Sequence, residues 1–254
     1  MRRVVFNQKG GVGKSTITVN LAALSAQEGK RTLVVDLDPQ GNASQYVLGS
    51  GRRQPPWTLA DFFQDTLKFS LRRKSVSDYV CPTPFPGLHL LPAHPDMAEM
   101  AGKLEAKYKI YKLREALDAS GDFDAVFMDT PPALSFYTLS ALIAADTCLI
   151  PFDCDEFSKR AITGLMSAVH EIREDHNATL VVEGIIVNQY QSRANLPKKM
   201  VDELKAEGLP VFGSVLSSSV KIRESHEKSL PLIHMDPNHK MTQEFVALYR
   251  ELLR

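Results

Sequence analysis

A glycine-rich segment lies between an apolar run and a helical pattern at the start of this chain. The apolar run covers residues 4–6, the segment KGGVGKS covers residues 9–15, and the helical pattern covers residues 14–28. Glycines in such a turn let backbone N–H groups converge on an anion, and the helix N-terminus adds its positive dipole end. The segment therefore predicts a phosphate-binding loop between a strand and a helix.

Three side chains of this loop carry specific expectations. Lys14 is predicted to neutralise the β- and γ-phosphates of ATP, Ser15 to ligate Mg²⁺, and Thr16 to bond the α-phosphate. The general phosphate-loop pattern has a glycine where this chain has Gln8. The match is therefore to the variant form of the motif, which has a lysine, here Lys9, at its start.

The rest of the chain alternates short apolar runs with helical patterns. The runs cover residues 4–6, 32–35, 88–91, 125–128, 147–151, 180–187 and 211–212, and the helical patterns lie near 97–118, 137–144, 158–174, 196–207 and 239–253. This alternation predicts an α/β fold, a mostly parallel twisted sheet with helices on both faces. Residues 49–86 read as irregular, with a short helix at 59–67. We expect one domain over residues 1–254.

Composition narrows the class of protein. The formal net charge is zero, so any nucleic-acid site must be a local patch. Three cysteines, at 81, 148 and 154, are too few and too scattered for a disulfide framework or a zinc site. No apolar run reaches the ~20 residues of a membrane helix, and the N-terminus lacks a signal-peptide core. We therefore expect a cytoplasmic protein.

Three motifs, in order, are KGGVGKS at 9–15, DLDPQGN at 36–42 and DTPP at 129–132. Together they resemble those of the ParA/MinD family of deviant Walker-A ATPases, which are P-loop NTPases, and most of all those of the small ParA or Soj-like branch. The resemblance implies slow hydrolysis of ATP with Mg²⁺ and partition of plasmids, chromosomes or other large cargo. Because the first strand starts near residue 3, no helix-turn-helix domain is expected before it.

The resemblance also implies catalytic and metal-binding roles. Lys9 would cross a homodimer interface to the partner's nucleotide, although a solvated lysine beside its own phosphate is the alternative. Asp38 would position the attacking water and contact the Mg²⁺ shell, and Asp129 would hold a Mg²⁺-bound water. Asp36 would support the strand end. For both residues of the 36–38 pair, a capped turn at a helix start remains the alternative.

A base-reading role is implied for Asn188, which follows an apolar run where the family contacts adenine, and Pro231 would wall that pocket with Met235 and Pro237. An asparagine in an ordinary turn is the alternative. The nucleotide-binding set is thus Lys9, Gly10, Gly11, Val12, Gly13, Lys14, Ser15, Thr16, Asn188 and Pro231.

Two basic segments, 191–199 and 217–224, resemble those with which small ParA proteins bind DNA without sequence preference. Arg223 is the first candidate, followed by Arg193 and Lys221. A solvated helix face is the alternative, because acidic residues lie nearby. The resemblance further implies an ATP-bound homodimer, a ParB-like partner or cargo adaptor that stimulates hydrolysis, and association with the nucleoid.

A membrane-associated switch like MinD is the alternative function. It needs an amphipathic C-terminal helix with a basic polar face. Phe245, Leu248, Tyr249 and Leu252 share a face at helical spacing, but the polar side mixes Glu with Arg. We therefore expect this helix to dock on the domain rather than on a membrane.

Overall fold

The computed structural model describes residues 1–49, 55–68, 74–153, 158–191 and 195–253. The strands in these ranges are β1 (Arg2–Val5), β2 (Thr32–Asp36), β3 (Cys81–Pro82), β4 (Leu88–Leu91), β5 (Ala125–Asp129), β6 (Thr147–Asp153), β7 (Val181–Tyr190) and β8 (Val211–Ser217). The helices are α1 (Lys14–Gln27), α2 (Asn42–Leu48), α3 (Leu59–Leu67), α4 (Met97–Ala106), α5 (Lys112–Ser120), α6 (Phe136–Ala144), α7 (Ser158–Asp175), α8 (Asn195–Ala206), α9 (Val220–Lys228), α10 (Leu232–Met235) and α11 (Lys240–Glu251), with a 3-10 helix at Val76–Tyr79.

The strands pair in the order β3-β4-β2-β5-β1-β6-β7-β8, and among the described strands only β3 runs antiparallel to its neighbour. Successive strand residues point to opposite faces. Leu33 and Met128 face the layer of α3 to α8, whereas Val34 and Phe127 face the layer that contains α1, α2, α10 and α11. The predicted α/β fold with helices on both faces is confirmed.

The carboxyl ends of the parallel strands meet at one edge of the sheet. In the strand register, Asp129 at the end of β5 pairs with Val5 of β1 on one side and with Asp36 of β2 on the other. On the neighbouring strands, Asp153 of β6 pairs with Asn188 of β7. This edge is where ligands bind in open α/β sheets, and it carries the acids that the sequence motifs identify.

The continuous helical pattern predicted over 97–118 was wrong, because the chain breaks there into α4 and α5. Tyr108 adopts a left-handed conformation with φ of 53°. Its N–H bonds the Glu105 carbonyl at 2.9 Å, and the Lys109 N–H bonds the Leu104 carbonyl at 3.0 Å. Such bonds close a helix C-terminus, so the helical spacing of the sequence spans the break between two separate helices. The helix predicted at 59–67 is present with those bounds.

The C-terminal helix α11 docks on the sheet. Phe245, Leu248 and Tyr249 are buried against the layer of α1 and α10. Two carboxylates of the same helix bond backbone N–H groups of β8: Glu251 accepts from Gly213 at 2.7 Å and Ser214 at 2.9 Å, and Glu244 accepts from Ser217 at 2.7 Å. Within the described ranges, no helix is both long enough and apolar enough to cross a membrane.

Candidate functional site

The phosphate loop, residues 9–15, follows β1 and leads directly into α1, as the sequence predicts. Gly11 and Gly13 have φ of 78° and 89°, values that residues with a Cβ rarely adopt. Space is limiting at the second glycine as well, since a Cβ on residue 13 would lie 2.4 Å from Nδ2 of Asn188. Both backbone conformation and packing therefore require glycine at position 13.

Lys14 is the first residue of α1 and its side chain is buried. Its Nζ donates a hydrogen bond to the Lys9 carbonyl at 3.0 Å, which holds the ammonium over the loop. Burial lowers the pKa of Lys14, while the charges of Asp129 and Asp38 oppose that shift. A poorly hydrated cation at this position is suited to pairing with phosphate oxygens.

Asp129 has no solvent exposure, and neither of its carboxylate oxygens has a hydrogen-bond partner at normal distance among the described residues. Burial and the neighbouring charge of Asp36 raise the pKa of Asp129 well above its usual range, although the Ser15 hydroxyl lies near enough to oppose the shift. An unpaired buried carboxylate is costly unless a cation or water completes its environment. The site therefore fits a hydrated Mg²⁺ held between Ser15 and Asp129.

Asp36 organises the segment that follows β2. Its Oδ2 accepts hydrogen bonds from both the backbone N–H and the hydroxyl of Ser44 at 2.7 Å, which secures the start of α2. Its Oδ1 accepts from the Asp38 N–H at 3.2 Å. Burial raises the pKa of Asp36 to about 6. These contacts agree with the expected supporting role at the strand end.

Asp38 lies two residues beyond the end of β2 and is buried. Its Oδ1 accepts a hydrogen bond from the Gln40 N–H at 2.9 Å, which fixes the orientation of the carboxylate at the start of the turn. Part of the turn-capping alternative is thus realised in the structure. Its water-positioning role stays a prediction, and the same residue can serve both purposes because a carboxylate has a second oxygen.

Lys9 projects from the exposed rim of the loop and forms an ion pair within its own chain. Its Nζ lies 2.7 Å from Oδ2 of Asp153, and the two side chains are 44% and 21% exposed. Its N–H also bonds the Asn7 side chain at 2.8 Å, which shapes the backbone before the loop. The role predicted for Lys9 across a dimer interface stays a prediction.

Asn188 and Gln189 both donate side-chain hydrogen bonds to carbonyl oxygens of the phosphate loop. The Asn188 Nδ2 donates to the Val12 carbonyl at 2.9 Å, and the Gln189 Nε2 donates to the Gly11 carbonyl at 3.0 Å. Gln189 has a φ of 54°, an uncommon conformation for a residue with a side chain. Gln189 is not among the residues predicted from the sequence, where its position directly after Asn188 was the only signal. For a base, Asn188 retains its carbonyl oxygen as an acceptor.

His226 of α9 is a second site residue that the sequence motifs do not indicate, and its Nε2 lies 3.0 Å from the Thr16 hydroxyl. The segment after α9 also contacts α1, since the Leu232 N–H bonds Oδ1 of Asn20 at 2.8 Å. Pro231 precedes that contact and is buried. The structure thus brings the predicted pocket-wall segment beside the helix that begins at the phosphate loop.

The three DNA-binding candidates differ in their surroundings. Lys221 on α9 is paired with Asp236 at 3.2 Å and Glu224 at 3.4 Å, and hydrogen bonds to Asp236 raise its pKa. Arg223 on the same helix is exposed and forms no ion pair with any described residue. Arg193 lies outside the described residues. Of the two described candidates, Arg223 is accordingly the one whose charge is available to a partner.

Comparison with known proteins agrees with the geometry. The family model described as an AAA domain matches residues 3–182. The chain is 32% identical to the chromosome partitioning protein ParA of Caulobacter vibrioides, with 98% of this chain and 92% of that protein covered. It is 38% identical to the chromosome-partitioning ATPase Soj of Thermus thermophilus, with 89% of this chain and 84% of that protein covered.

Solved structures share the fold. Cobyrinic acid a,c-diamide synthase from Mycobacterium smegmatis, with bound ADP and magnesium, is similar with a TM-score of 0.77 and 28% identity, covering 94% of this chain and 97% of that one. The McdA–ATP complex from Cyanothece is similar with a TM-score of 0.84 and 20% identity, covering 99% of this chain and 95% of that one. Motifs, fold and relatives lead to one assignment: the chain belongs to the ParA/Soj family of P-loop ATPases.

Proposed function

We propose that this chain is an ATP-driven switch that partitions or positions a large cargo on DNA. The observation that carries the proposal is the buried and unpaired carboxylate of Asp129 beside a preformed phosphate loop. A Mg²⁺ ion at Asp129 and nucleotide phosphates at Lys14 would satisfy both buried groups. The proposal treats residues 1–254 as one ATPase domain.

Binding and hydrolysis of ATP follow from the residues at the carboxyl edge. Backbone N–H groups of residues 10–15 and the Lys14 ammonium hold the β- and γ-phosphates, and Thr16 bonds the α-phosphate. When bound, Mg²⁺ offsets the charge on the β- and γ-phosphate oxygens. The Ser15 hydroxyl and Asp129 would hold the metal and its water, and Asp38 would orient the attacking water. Intrinsic turnover is slow.

ATP binding favours a face-to-face homodimer in which Lys9 leaves Asp153 and reaches the partner's nucleotide. A cation supplied across an interface offsets the charge of two opposed triphosphates. The surface around the loop supports this step. Leu134 is 46% exposed in the segment that follows Asp129, and a Cβ on Gly10 would lie 4.0 Å from Pro132 of that segment. An exposed apolar residue at this position suits a partner surface.

The ATP dimer binds DNA without sequence preference, with Arg223 contacting phosphates on each protomer. Arg193 and Lys221 contribute where the dimer brings their segments to the DNA, and Lys221 must first leave Asp236. Doubling a weak basic site in a dimer raises affinity through effective concentration. Hydrolysis, accelerated by a ParB-like partner or cargo adaptor, returns the monomer and releases DNA. The protein is then cytoplasmic and associated with the nucleoid.

Two other functions make different demands. A MinD-like membrane switch needs the apolar face of α11 to be available, yet Phe245 and Leu248 are 1% and 0% exposed against the sheet. A ligase that acts on a small molecule, as the similarity to a diamide synthase invites, needs an acceptor for ATP turnover. The docking of α11 on the sheet disfavours the membrane-switch function. The ligase function is distinguished by an assay of ATP turnover with and without a small-molecule acceptor.

The proposal is tested by co-sedimentation of the protein with DNA, and separately with anionic liposomes, in ATP, in ADP and without nucleotide. We expect DNA binding in ATP alone, with log affinity falling linearly with log salt concentration. Arg223→Ala should weaken binding and reduce the salt slope, and Lys240→Ala, exposed on α11, is the matched control. Equal DNA binding in ADP, sedimentation with liposomes instead, or turnover that needs a small-molecule acceptor would each overturn the proposal.

A further inference from the structure

Three helices meet behind the phosphate loop through a connected polar network. Tyr46 of α2 is buried, and its hydroxyl accepts a hydrogen bond from Asn20 of α1 at 3.0 Å and also bonds the hydroxyl of Ser225 on α9. The next residue of α9, His226, places its ring centroid 4.3 Å from that of Tyr46. The network therefore fixes one face of α9 against α1 and α2.

The contact between His226 and Thr16 joins this network directly to the phosphate loop. The Nε2 of His226 lies 3.0 Å from the Thr16 hydroxyl, one residue after Ser15. His226 is an exposed residue, but desolvation lowers the pKa of its ring, which favours the neutral imidazole. A neutral imidazole has one donor and one acceptor nitrogen, and the tautomer decides which of them faces Thr16.

The two tautomers have opposite consequences for the nucleotide. If Nε2 carries the proton, His226 donates to Thr16, and the Thr16 hydroxyl hydrogen is left to bond a phosphate oxygen. If Nδ1 carries it, Thr16 donates to His226 and has no hydrogen for the phosphate. A phosphate at Thr16 thus selects the first tautomer, and its charge polarises and strengthens the bond from His226.

We infer that His226 is a positioning residue that couples the phosphate loop to α9, so that a phosphate bonded to Thr16 tightens the attachment of the helix that carries Arg223. This inference rests on the proposed contact between Thr16 and the α-phosphate. It goes beyond that contact because it names the residue that transmits the effect of nucleotide binding to the basic surface of α9. Two sites are coupled only when one ligand changes the stability of the element that forms the other.

The coupling is measured by hydrogen exchange of the Val220–Lys228 backbone with and without saturating Mg-ADP. ADP contains the α-phosphate but lacks the γ-phosphate, so protection does not depend on the proposed ATP dimer. In the wild-type protein we expect ADP to slow exchange in α9 by about 2–10-fold, the range for one strengthened hydrogen bond. His226→Ala should lose this protection while still binding ADP, and Lys228→Ala, exposed on the same helix, should keep it.

Two further measurements distinguish loss of the His226 hydrogen bond from general misfolding of the His226→Ala variant. His226→Gln keeps a donor of similar reach and should restore part of the protection. In ¹⁵N-histidine spectra of the wild-type protein, the signal assigned to His226 should report a proton on Nε2 when ADP is bound. Unchanged α9 protection in His226→Ala, no protection in the ADP-saturated wild type, or a bound-state proton on Nδ1 would overturn the inference. None of these readouts involves DNA, so they separate this failure from failure of the partition function.

Discussion

Asp36 and Asp129 are register partners on adjacent strands, and both carboxylates are completely buried. The two carboxylates differ in their hydrogen-bond partners. Asp36 accepts two hydrogen bonds from Ser44, whereas Asp129 has no partner at normal distance among the described residues. The fold thus buries a carboxyl group without a hydrogen-bond partner where the ligand's cation is expected, which is a feature of a binding site rather than of a stable core.

Asp129→Asn should stabilise the protein in the absence of magnesium and nucleotide. Burial raises the folded-state pKa of Asp129 above its unfolded value, so the stability it contributes is present at low pH and is lost as pH rises through the folded-state pKa. Asparagine carries no charge, so in EDTA at pH 8 the variant should be more stable by about 1–3 kcal/mol. Urea unfolding from pH 4 to 8 checks this.

The stability difference between Asp129→Asn and the wild type should shrink towards pH 4, where the wild-type carboxyl is protonated. Adding Mg-ATP should stabilise the wild type more than the variant, because only the wild type supplies a carboxylate to the metal shell. A variant less stable than the wild type at every pH would show that Asp129 is satisfied without a ligand.

Gly13→Ala should distort the phosphate loop. Alanine would adopt a φ near 89° and would contact the Asn188 amide, so we expect a loss of about 1–3 kcal/mol in unfolding free energy together with weaker ATP binding. Gly10→Ala is the matched control for stability, because its Cβ meets only Pro132 at an ordinary 4.0 Å. Urea unfolding of the nucleotide-free proteins compares them. Equal losses in the two variants would contradict the packing argument.

Lys14→Ala should remove ATP binding. The ammonium is buried and held over the loop by the Lys9 carbonyl, so its loss takes away charge-assisted hydrogen bonds of about 1.5–3 kcal/mol each. The Kd for ATP, measured by calorimetry, should rise by about 100-fold or more. Lys228→Ala removes an exposed lysine from α9 and should leave the Kd within about twofold. Tight binding of ATP by Lys14→Ala would contradict the phosphate-binding role assigned to Lys14.

Asp38→Ala should block turnover and spare ATP binding. Losing the group that orients the attacking water typically lowers a rate by about 10²–10⁴-fold. Phosphate release measures turnover, and calorimetry measures binding. Asp96→Ala, which removes a largely exposed carboxylate at the start of α4, should turn over ATP normally. Normal turnover in Asp38→Ala would refute its role and leave the turn bond to Gln40 as its function.

Lys9→Ala should bind ATP as a monomer and fail to dimerise, whereas Asp153→Asn should dimerise more readily because it removes one ion-pair partner of the lysine. A partly exposed ion pair is worth at most about 1 kcal/mol, and each of the two protomers breaks one such pair, so the second effect should stay within about 30-fold in the dimer Kd. Sedimentation velocity in ATP, on an Asp38→Ala background, measures both. Normal ATP-dependent dimers of Lys9→Ala would remove Lys9 from the interface.

The sequence predicts the strand ends and the loop well, because a buried parallel strand is a short apolar run and a phosphate loop has a fixed spacing. It missed α2 and α9 for physical reasons. Helix α2 has seven residues, too few for a helical period to show, and its apolar face is Ala43, Tyr46 and Val47. Helix α9 is mostly polar, and its attachment depends on Ser225 and His226, side chains that apolar periodicity does not detect.

Glu244 and Glu251 occupy N–H groups along the outer edge of β8. A strand from another molecule that sought to extend the sheet there would have to displace both carboxylates, and their charge repels the carbonyl oxygens of the incoming backbone. This edge of the sheet is thereby protected against edge-to-edge pairing, the kind of contact that joins sheets into fibres.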